Sequence, residues 1–270
     1  MYCLKNAEAI QAVSLIDRAF HYGDGCFSTA RIRDSQIELL DRHLSRLEDS
    51  CQRLYLNVNL QLIQKSLQQL EQQYGFLNGT LKIIISRGEG QRGYSLPSHA
   101  ADLWLMYYPQ AIDDFYYDII HCGLAQRRIG INMPELVGIK SLNRLEQVLL
   151  KQEIDQYGWT EALVADVQAQ IVEGVSSNCF IRINGQWITP ELGYNGVHGV
   201  MRAELLQRMQ RQGMTCQQRT VHIEEVPKIE SLFFCNALHP MRIVAQLDQQ
   251  ILQTQPCVDL FHFLQLHQIH

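Results

Sequence analysis

Gly138 to Lys151 reads GIKSLNRLEQVLLK, and Gln170 to Phe180 reads QIVEGVSSNCF. The first stretch puts Lys140 just ahead of a helical pattern, beside the apolar Leu136, Val137 and Ile139. Apolar surroundings favour the neutral form of an amine, which attacks an aldehyde and accepts a proton from carbon. A lysine in a loop is otherwise a solvated surface charge, and Gly-Ile-Lys by itself carries little weight. The second stretch ends a short apolar strand on Glu173. That carboxylate reads equally as a hairpin-edge acid facing water or as a buried partner for a pyridine nitrogen. Ser176, Ser177 and Asn178 after it either donate to a ligand or turn the chain. A lysine and an acid of this kind are what pyridoxal 5′-phosphate (PLP) requires. The lysine forms a Schiff base with its aldehyde, and the acid keeps its ring able to absorb a carbanion's electrons.

A phosphate needs its own site. Gly196-Val-His-Gly-Val200 precedes a helical pattern, so the free N–H groups of Val200 and Met201 would face an anion with the helix dipole behind them. An ordinary loop-to-helix junction is the plainer reading. In Asp41-Arg-His-Leu-Ser-Arg-Leu47, His43 and Arg46 share one helix face beside the apolar stripe. Arg46 at the rim of that stripe is the candidate phosphate clamp, whereas Arg42 and Arg53 read as solvated. Arg87-Gly-Glu-Gly-Gln-Arg-Gly-Tyr94 is glycine-rich without a strand-to-helix context, which argues against a nucleotide phosphate loop. Its arginines and tyrosine read with equal weight as a carboxylate grip or as a flexible surface loop.

Composition excludes several classes. At 46% hydrophobic and 19% charged residues the chain has the make-up of an ordinary soluble protein. A formal charge of −5 with no basic stripe gives no electrostatic support for nucleic-acid or anionic-membrane binding. No run of roughly eighteen apolar residues suggests a membrane span. The N-terminal MYCLKNAEAIQAV carries neither a basic nor an apolar signal region, so no signal peptide is expected. The eight cysteines are spread singly, with no CxxC pair. They read as reduced thiols of a cytoplasmic protein rather than a disulfide frame or zinc site. His262, His267 and His270 read as a loose tail, and no metal site is expected.

The pattern along the chain is mixed. A hairpin is expected at Arg33-Asp34-Ser35, a helix over 41–54 with Asp41 as N-cap, and a second helix from Leu60 to Tyr74 ended by Gly75. Strands over 81–86 and 103–108 follow. A domain of residues 1–110, a linker at 111–116 and a domain of 117–270 carrying the lysine complete the expected division. The second domain reads as one strand from Tyr117 to Ala125, a loop from Arg127 to Gly138 and a helix from Leu142 to Tyr157. Four strands between 161 and 189 come next, with a type I′ turn at Asn184-Gly185. A helix from Met201 to Gln212, strands near 219–222 and 232–235, a strand pair about Asp248 and a C-terminal helix close the chain.

Taken in order, these pieces resemble the fold-type IV PLP enzymes, the group of branched-chain and D-amino-acid aminotransferases and aminodeoxychorismate lyases. The resemblance runs from Asp17-Arg-Ala-Phe-His-Tyr-Gly-Asp-Gly25 to Cys235-Asn-Ala-Leu238. His43-Leu-Ser-Arg-Leu47 resembles the group's phosphate-arginine motif and Gly199-Val-Met-Arg202 its phosphate turn. Lys140 falls on its Schiff-base lysine, and Glu173 on its pyridine partner. The resemblance implies a two-domain α+β fold with mixed sheets and helices, and PLP held by Arg46, Lys140, Glu173, Ser177, Asn178, Val200, Met201 and Asn236. Within the group, YGDGCFSTARI, ISRGEGQRGYS, GIKSLNRLEQVLLKQE and FFCNALHP are most similar to the lyases. Those convert 4-amino-4-deoxychorismate to 4-aminobenzoate and pyruvate on the way to folate. Lys140, Glu173 and, for proton transfer, Thr29 would be catalytic, while Tyr22, Arg92 and Tyr94 would grip substrate carboxylates. In the relatives that loop reaches over from a partner subunit, which implies a homodimer with the site near its interface. The aminotransferases usually carry Thr where Met201 stands, and tend to carry hydroxyl residues where Asn236-Ala237 stand. An aminotransferase on the same scaffold, or a PLP-binding protein without turnover, are the alternatives.

Overall fold

A computed structural model describes residues 1–111 and 117–269. The linker expected at 111–116 therefore lies, but for its first residue, outside the described residues. The chain divides into two compact units, one of Met1–Asp113 with Ile139–Asn143, the other of Asp114–Gly138 with Arg144–Ile269.

The first unit runs β1 (Tyr2–Lys5), β2 (Glu8–Ala9), α1 (Arg18–Tyr22), β3 (Gly25–Arg33), β4 (Gln36–Ile37), α2 (Leu40–Arg53), α3 (Gln61–Tyr74), β5 (Gly79–Ser86) and β6 (Asp102–Pro109). The strands form one antiparallel sheet in the order β2-β1-β6-β5-β3-β4. Cys26, Ala30 and Ile32 alternate with Phe27, Thr29 and Arg31 along β3, and only the first set joins the core with Leu81, Ile83 and Ile85 of β5. That two-residue period puts one face of the sheet under α2 and α3, through Leu47, Cys51, Ile63, Leu67 and Leu70, and leaves the other to carry polar groups. The β3–β4 turn has both central residues, Asp34 and Ser35, at positive φ, the type I′ geometry, without a glycine. Asp41 is not the N-cap of α2. The chain turns at Leu39, φ 54°, with no side-chain cap, and Asp41 lies in the first turn, where its charge suits the dipole. Helix α3 ends as expected on Gly75, φ 74°.

The second unit runs β7 (Asp118–Cys122), β8 (Leu124–Ile129), α4 (Leu145–Gln156), β9 (Leu163–Asp166), β10 (Gln170–Gly174), β11 (Asn178–Ile183), β12 (Gln186–Pro190), α5 (Val200–Arg211), β13 (Cys216–Arg219), β14 (Val221–His222), β15 (Ser231–Cys235), β16 (Arg242–Leu247), β17 (Gln250–Ile251) and α6 (Gln255–Phe263). One sheet has the order β14-β10-β9-β8, and the other β13-β12-β11-β15-β16-β17 with β7 beside β16. Both mix parallel and antiparallel pairs. The single strand expected over 117–125 is two strands in different sheets. The break is Gly123, where a side chain would collide with the Trp159 ring and the Asp248 carboxylate. Asn184 and Gly185, φ 50° and 75°, make the expected type I′ turn.

Two further expectations change. Helix α4 starts at Leu145 rather than Leu142, because residues 140–142 are spent on pairing with β3. For the same reason Ile139–Asn143, read from the sequence as part of the C-terminal domain, belongs to the first unit. The C-terminal tail is not loose up to Ile269. Leu264, Leu266 and Ile269 are buried, and Arg208 of α5 donates to the carbonyls of Leu264, Gln265 and Gln268 at 2.9–3.0 Å. Six of the eight cysteines are buried. Among the described residues no helix is long and apolar enough to cross a membrane, and no group of His, Cys, Asp and Glu could hold a metal.

Charged hydrogen bonds of this kind contribute about 1.5–3 kcal/mol. Arg208→Ala should therefore lower stability by about that amount and speed amide exchange of residues 264–269 ahead of the core. Unchanged exchange there would show that the tail is held by its apolar residues alone.

Candidate active site

In the first unit, the lysine segment is an extension of the sheet. Phe27 N–H donates to the Lys140 carbonyl at 2.9 Å and Leu142 N–H to the Gly25 carbonyl at 3.1 Å, so residues 140–142 run antiparallel to the start of β3. The side chain of Ile139 enters the core while the Lys140 Nζ lies 4.9 Å from the centre of the Phe27 ring. The flanking apolar residues do not act together: Val137 is buried within the second unit, and Leu136 is 37% exposed. Thr29 follows Phe27 on the same face of β3 and pairs across the sheet with Lys82 of β5. The Lys82 Nζ also lies 4.9 Å from the Phe27 ring. Two amines and a hydroxyl-bearing strand position thus share one sheet face around one aromatic ring. Lys82 escapes sequence reasoning; its signal is a charge at an alternate position of the otherwise apolar LKIII run.

Arg46 sits behind that strand. Its Nη2 donates to the Ser28 Oγ at 2.5 Å, and Ser28 Oγ is 2.6 Å from His43 Nδ1. Ser28 and His43 are fully buried. Burial, reinforced by the Arg46 charge, lowers the His43 pKa to about 3, so the ring is neutral. Ser28 Oγ thus accepts from the Arg46 guanidinium while sharing a second hydrogen bond with the neutral His43 ring.

Tyr22 ends α1, and its hydroxyl accepts from Gly93 N–H at 3.1 Å. Arg18, held by Asp24, donates to the Gly93 carbonyl at 2.8 Å; Arg87 binds the same Asp24. The loop carrying Arg92 and Tyr94 is therefore pinned at Gly93, and the rings of Tyr22 and Tyr94 lie 5.5 Å apart. Arg92 and Tyr94 themselves are exposed, Tyr94 to 85%. Within one chain these two side chains face solvent.

In the second unit, a β-bulge between Ile171 and Glu173 re-aims the acid. Glu173 is buried, and its Oε2 accepts from Asn178 Nδ2 at 3.2 Å and from Val197 N–H at 2.9 Å. Asn178 also donates to the Val197 carbonyl at 2.9 Å. The 196–199 turn is tied again at Gly138, whose N–H donates to Gly196 and whose carbonyl accepts from His198. Helix α5 then starts at Val200 after Gly199, an N-cap with no side-chain bond. A side chain at Gly199 would collide with Asn178 Oδ1, and one at Gly196 would crowd Val172, Leu192 and Glu173. The result is an uncapped helix N-terminus with bare glycines before it, suited to an anion. Val200 and Met201 open that helix, and both of their side chains are buried. Ser177 and Asn236 serve as braces: Asn236 Nδ2 donates to Ser177 Oγ at 3.0 Å, and its Oδ1 accepts from Leu238 and His239 N–H. Glu161, which sequence reasoning passes over, lies fully buried beneath the 174–177 turn.

The donor set fits PLP. A bare-glycine helix N-terminus matches its phosphate, and the buried Glu173 carboxylate matches its ring nitrogen. Residues 25–247 match the family model for amino-transferase class IV. The chain belongs to that family. Its α+β architecture of mixed sheets and helices is the fold-type IV arrangement. The aminodeoxychorismate lyase of Vibrio harveyi is 32% identical over 84% of this chain and 84% of its own. The crystal structure of 4-amino-4-deoxychorismate lyase from Pseudomonas aeruginosa superposes with a TM-score of 0.85. It is 32% identical and covers 96% of this chain and 98% of that one. The PLP-bound form of a hypothetical aminotransferase from Mycobacterium tuberculosis shares the class IV fold, with a TM-score of 0.81 at 19% identity over 99% and 98% of the two chains.

The buried His43 has a pH consequence. Its folded-state pKa is depressed, so its contribution to stability is present above its unfolded value of about 6.5 and is lost as pH falls towards about 3. Each pH unit below 6.5 should cost up to about 1.4 kcal/mol from this group. Unfolding free energies of wild type and His43→Asn between pH 7 and 4 should converge as pH falls. Parallel curves would mean that His43 titrates alike in folded and unfolded chains.

Proposed function

We propose that this chain is an aminodeoxychorismate lyase that uses PLP to convert 4-amino-4-deoxychorismate to 4-aminobenzoate and pyruvate. The observation that carries the reading is the 32% identity to two such lyases over most of the chain. When bound, PLP supplies an electron sink for the carbon bearing the substrate amine. The Lys140 Nζ removes the proton from that carbon. It then returns a proton to the departing enolpyruvyl oxygen, with the Thr29 hydroxyl on the neighbouring strand assisting, and aromatisation drives the step. Glu173 holds the ring nitrogen, and Asn178 with the Val197 N–H holds Glu173. Arg46 and the amides of Val200 and Met201 take the phosphate. Ser177 and Asn236 brace the turn beside it. Tyr22, Arg92 and Tyr94 grip the substrate's carboxylates.

The same residues would serve an aminotransferase of the class IV family. The lyase reading is preferred on the phosphate turn. Transamination must retain the aminated cofactor between half-reactions, and Met201, 1% exposed, lends that turn an amide but no hydroxyl. Pyruvate and 4-aminobenzoate should appear in equal amounts from aminodeoxychorismate with no oxoacid added, and Lys140→Ala should release neither. Turnover that needs an oxoacid would make the aminotransferase reading the right one.

The working form we propose is a cytoplasmic homodimer. Helix α4 supports the dimer: Leu145, Val148 and Leu149, at helical spacing, are 78%, 59% and 52% exposed. An apolar stripe of this kind calls for a partner surface, and a second copy is the simplest one. Eight thiols, most of them buried, support a reducing compartment. Sedimentation should give twice the chain mass, and Leu149→Asp should shift it towards monomer. A monomeric wild type would remove this part of the proposal.

A further inference from the structure

The turn Gly174–Ser177 joins Glu173 at the end of β10 to Asn178 at the start of β11. The carboxylate of Glu161 lies on its inner side, beside the Phe234 ring, both against Gly174. Glu161 Oε1 accepts from Val175 N–H at 2.5 Å, from Ser176 N–H at 3.3 Å and from Ala162 N–H at 3.3 Å. Oε2 accepts from the Ser176 Oγ at 2.9 Å and from Ser176 N–H at 3.3 Å. The carboxyl sits against the bare Cα of Gly174, where a Cβ would come within 2.9 Å of it. The group is fully buried. Burial raises its pKa, and the donors from Ser176, Ser177, Val175 and Ala162 oppose that rise. The three backbone groups aimed at it are N–H donors, and a glutamine would keep an acceptor oxygen for them but lose the charge that strengthens those bonds.

We infer that Glu161 is a positioning residue for the reaction, a buried carboxylate whose hold on the 174–177 turn keeps Glu173 against the Val197 N–H. Both ends of the turn it anchors are in the acid's own network, since Asn178 donates to Glu173 Oε2 and to the Val197 carbonyl. The inference rests on the reading that Glu173 faces the pyridine nitrogen.

The test uses the full chain with Glu161→Gln, and Glu153→Gln as its control. Glu153 is also a buried carboxylate of the second unit that accepts backbone N–H groups, from Gln126 at 2.6 Å and Arg127 at 3.2 Å. Hydrogen exchange of the Val197 amide is measured on the apo-protein. Glu161→Gln should raise its rate about tenfold or more, the scale of one lost buried hydrogen bond, while amides of β15 and β16 stay protected. Glu153→Gln should leave Val197 unchanged. In the PLP-loaded enzyme, Glu161→Gln should lower kcat about tenfold or more with KM little changed, as expected for an interaction expressed in the transition state. Ser176→Ala, which removes one donor, should give a smaller effect in the same direction and serves if Glu161→Gln fails to fold. Unchanged Val197 exchange, equal loosening in both glutamine variants, or loosened exchange with wild-type kcat would overturn the inference. Failure of the wild type to bind PLP would instead overturn the proposed function, with Val197 exchange still deciding whether Glu161 places Glu173.

Discussion

The pairing of residues 140–142 with the first residues of β3 is the constraint on which the rest depends. Two main-chain hydrogen bonds, Phe27 N–H to the Lys140 carbonyl and Leu142 N–H to the Gly25 carbonyl, fix the lysine segment rather than leaving it in a flexible loop. A strand residue has its side chain on one face or the other, with no intermediate choice. Once Ile139 is committed to the core, Lys140 is committed to the opposite face, where Phe27 lies. The same pairing delays α4, since the Lys140 carbonyl and the Leu142 amide are already used. A lysine that must act repeatedly on one atom needs such a fixed origin, because near-attack geometry is lost with small displacements.

The acidic partner is held by a different device. Glu173 depends on a bulge, a turn and two glycines that lack side chains where neighbours need the space. None of these has much apolar area to contribute, so the precision comes from polar satisfaction. Asn178 is spent on Glu173 and Val197, Asn236 on Ser177, and Glu161 on the turn amides. Networks of this kind are stable only when complete, since one unmatched buried donor costs about as much as a good bond contributes. Buried groups in the two units meet this demand in opposite ways. His43 is neutral and needs one serine, whereas Glu161 is ringed by donors.

The hydrophobic period was legible in the sequence, and so were the helices α2, α3 and α5, the alternation of β3 and β5, and the turns that announce themselves as Asn-Gly or end on glycine. The family motifs were legible too, because each is a contiguous run. What escaped was set by contacts distant along the chain. Asp41 looks like a cap, but the turn at Leu39 starts the helix earlier. Gly123 looks like an ordinary strand residue until Trp159 and Asp248 close on it. The tail looks loose because its anchor, Arg208, lies on another helix. Lys82 and Glu161 are single charged residues inside apolar runs, and no local pattern tells a buried or site-facing charge from a solvated one.

The register of β3 shows how tightly core and site are coupled. Thr29 pairs with Lys82, and the β3–β4 turn is tied just ahead of β5 by Ser35 N–H to the Leu77 carbonyl and Asp34 N–H to Asn78 Oδ1. Ser28, one residue away, faces the opposite side and meets His43 and Arg46. A slip of one residue would carry Thr29 into the core and bring Ser28 out. The hydroxyl beside the lysine and the hydroxyl that holds the arginine would both be lost in a single step. Cys26, Ala30 and Ile32 would come out with Ser28, so the slip would also strip the core of its β3 residues. The apolar burial that stabilises the first unit therefore also assigns each polar residue of β3 to its side of the sheet.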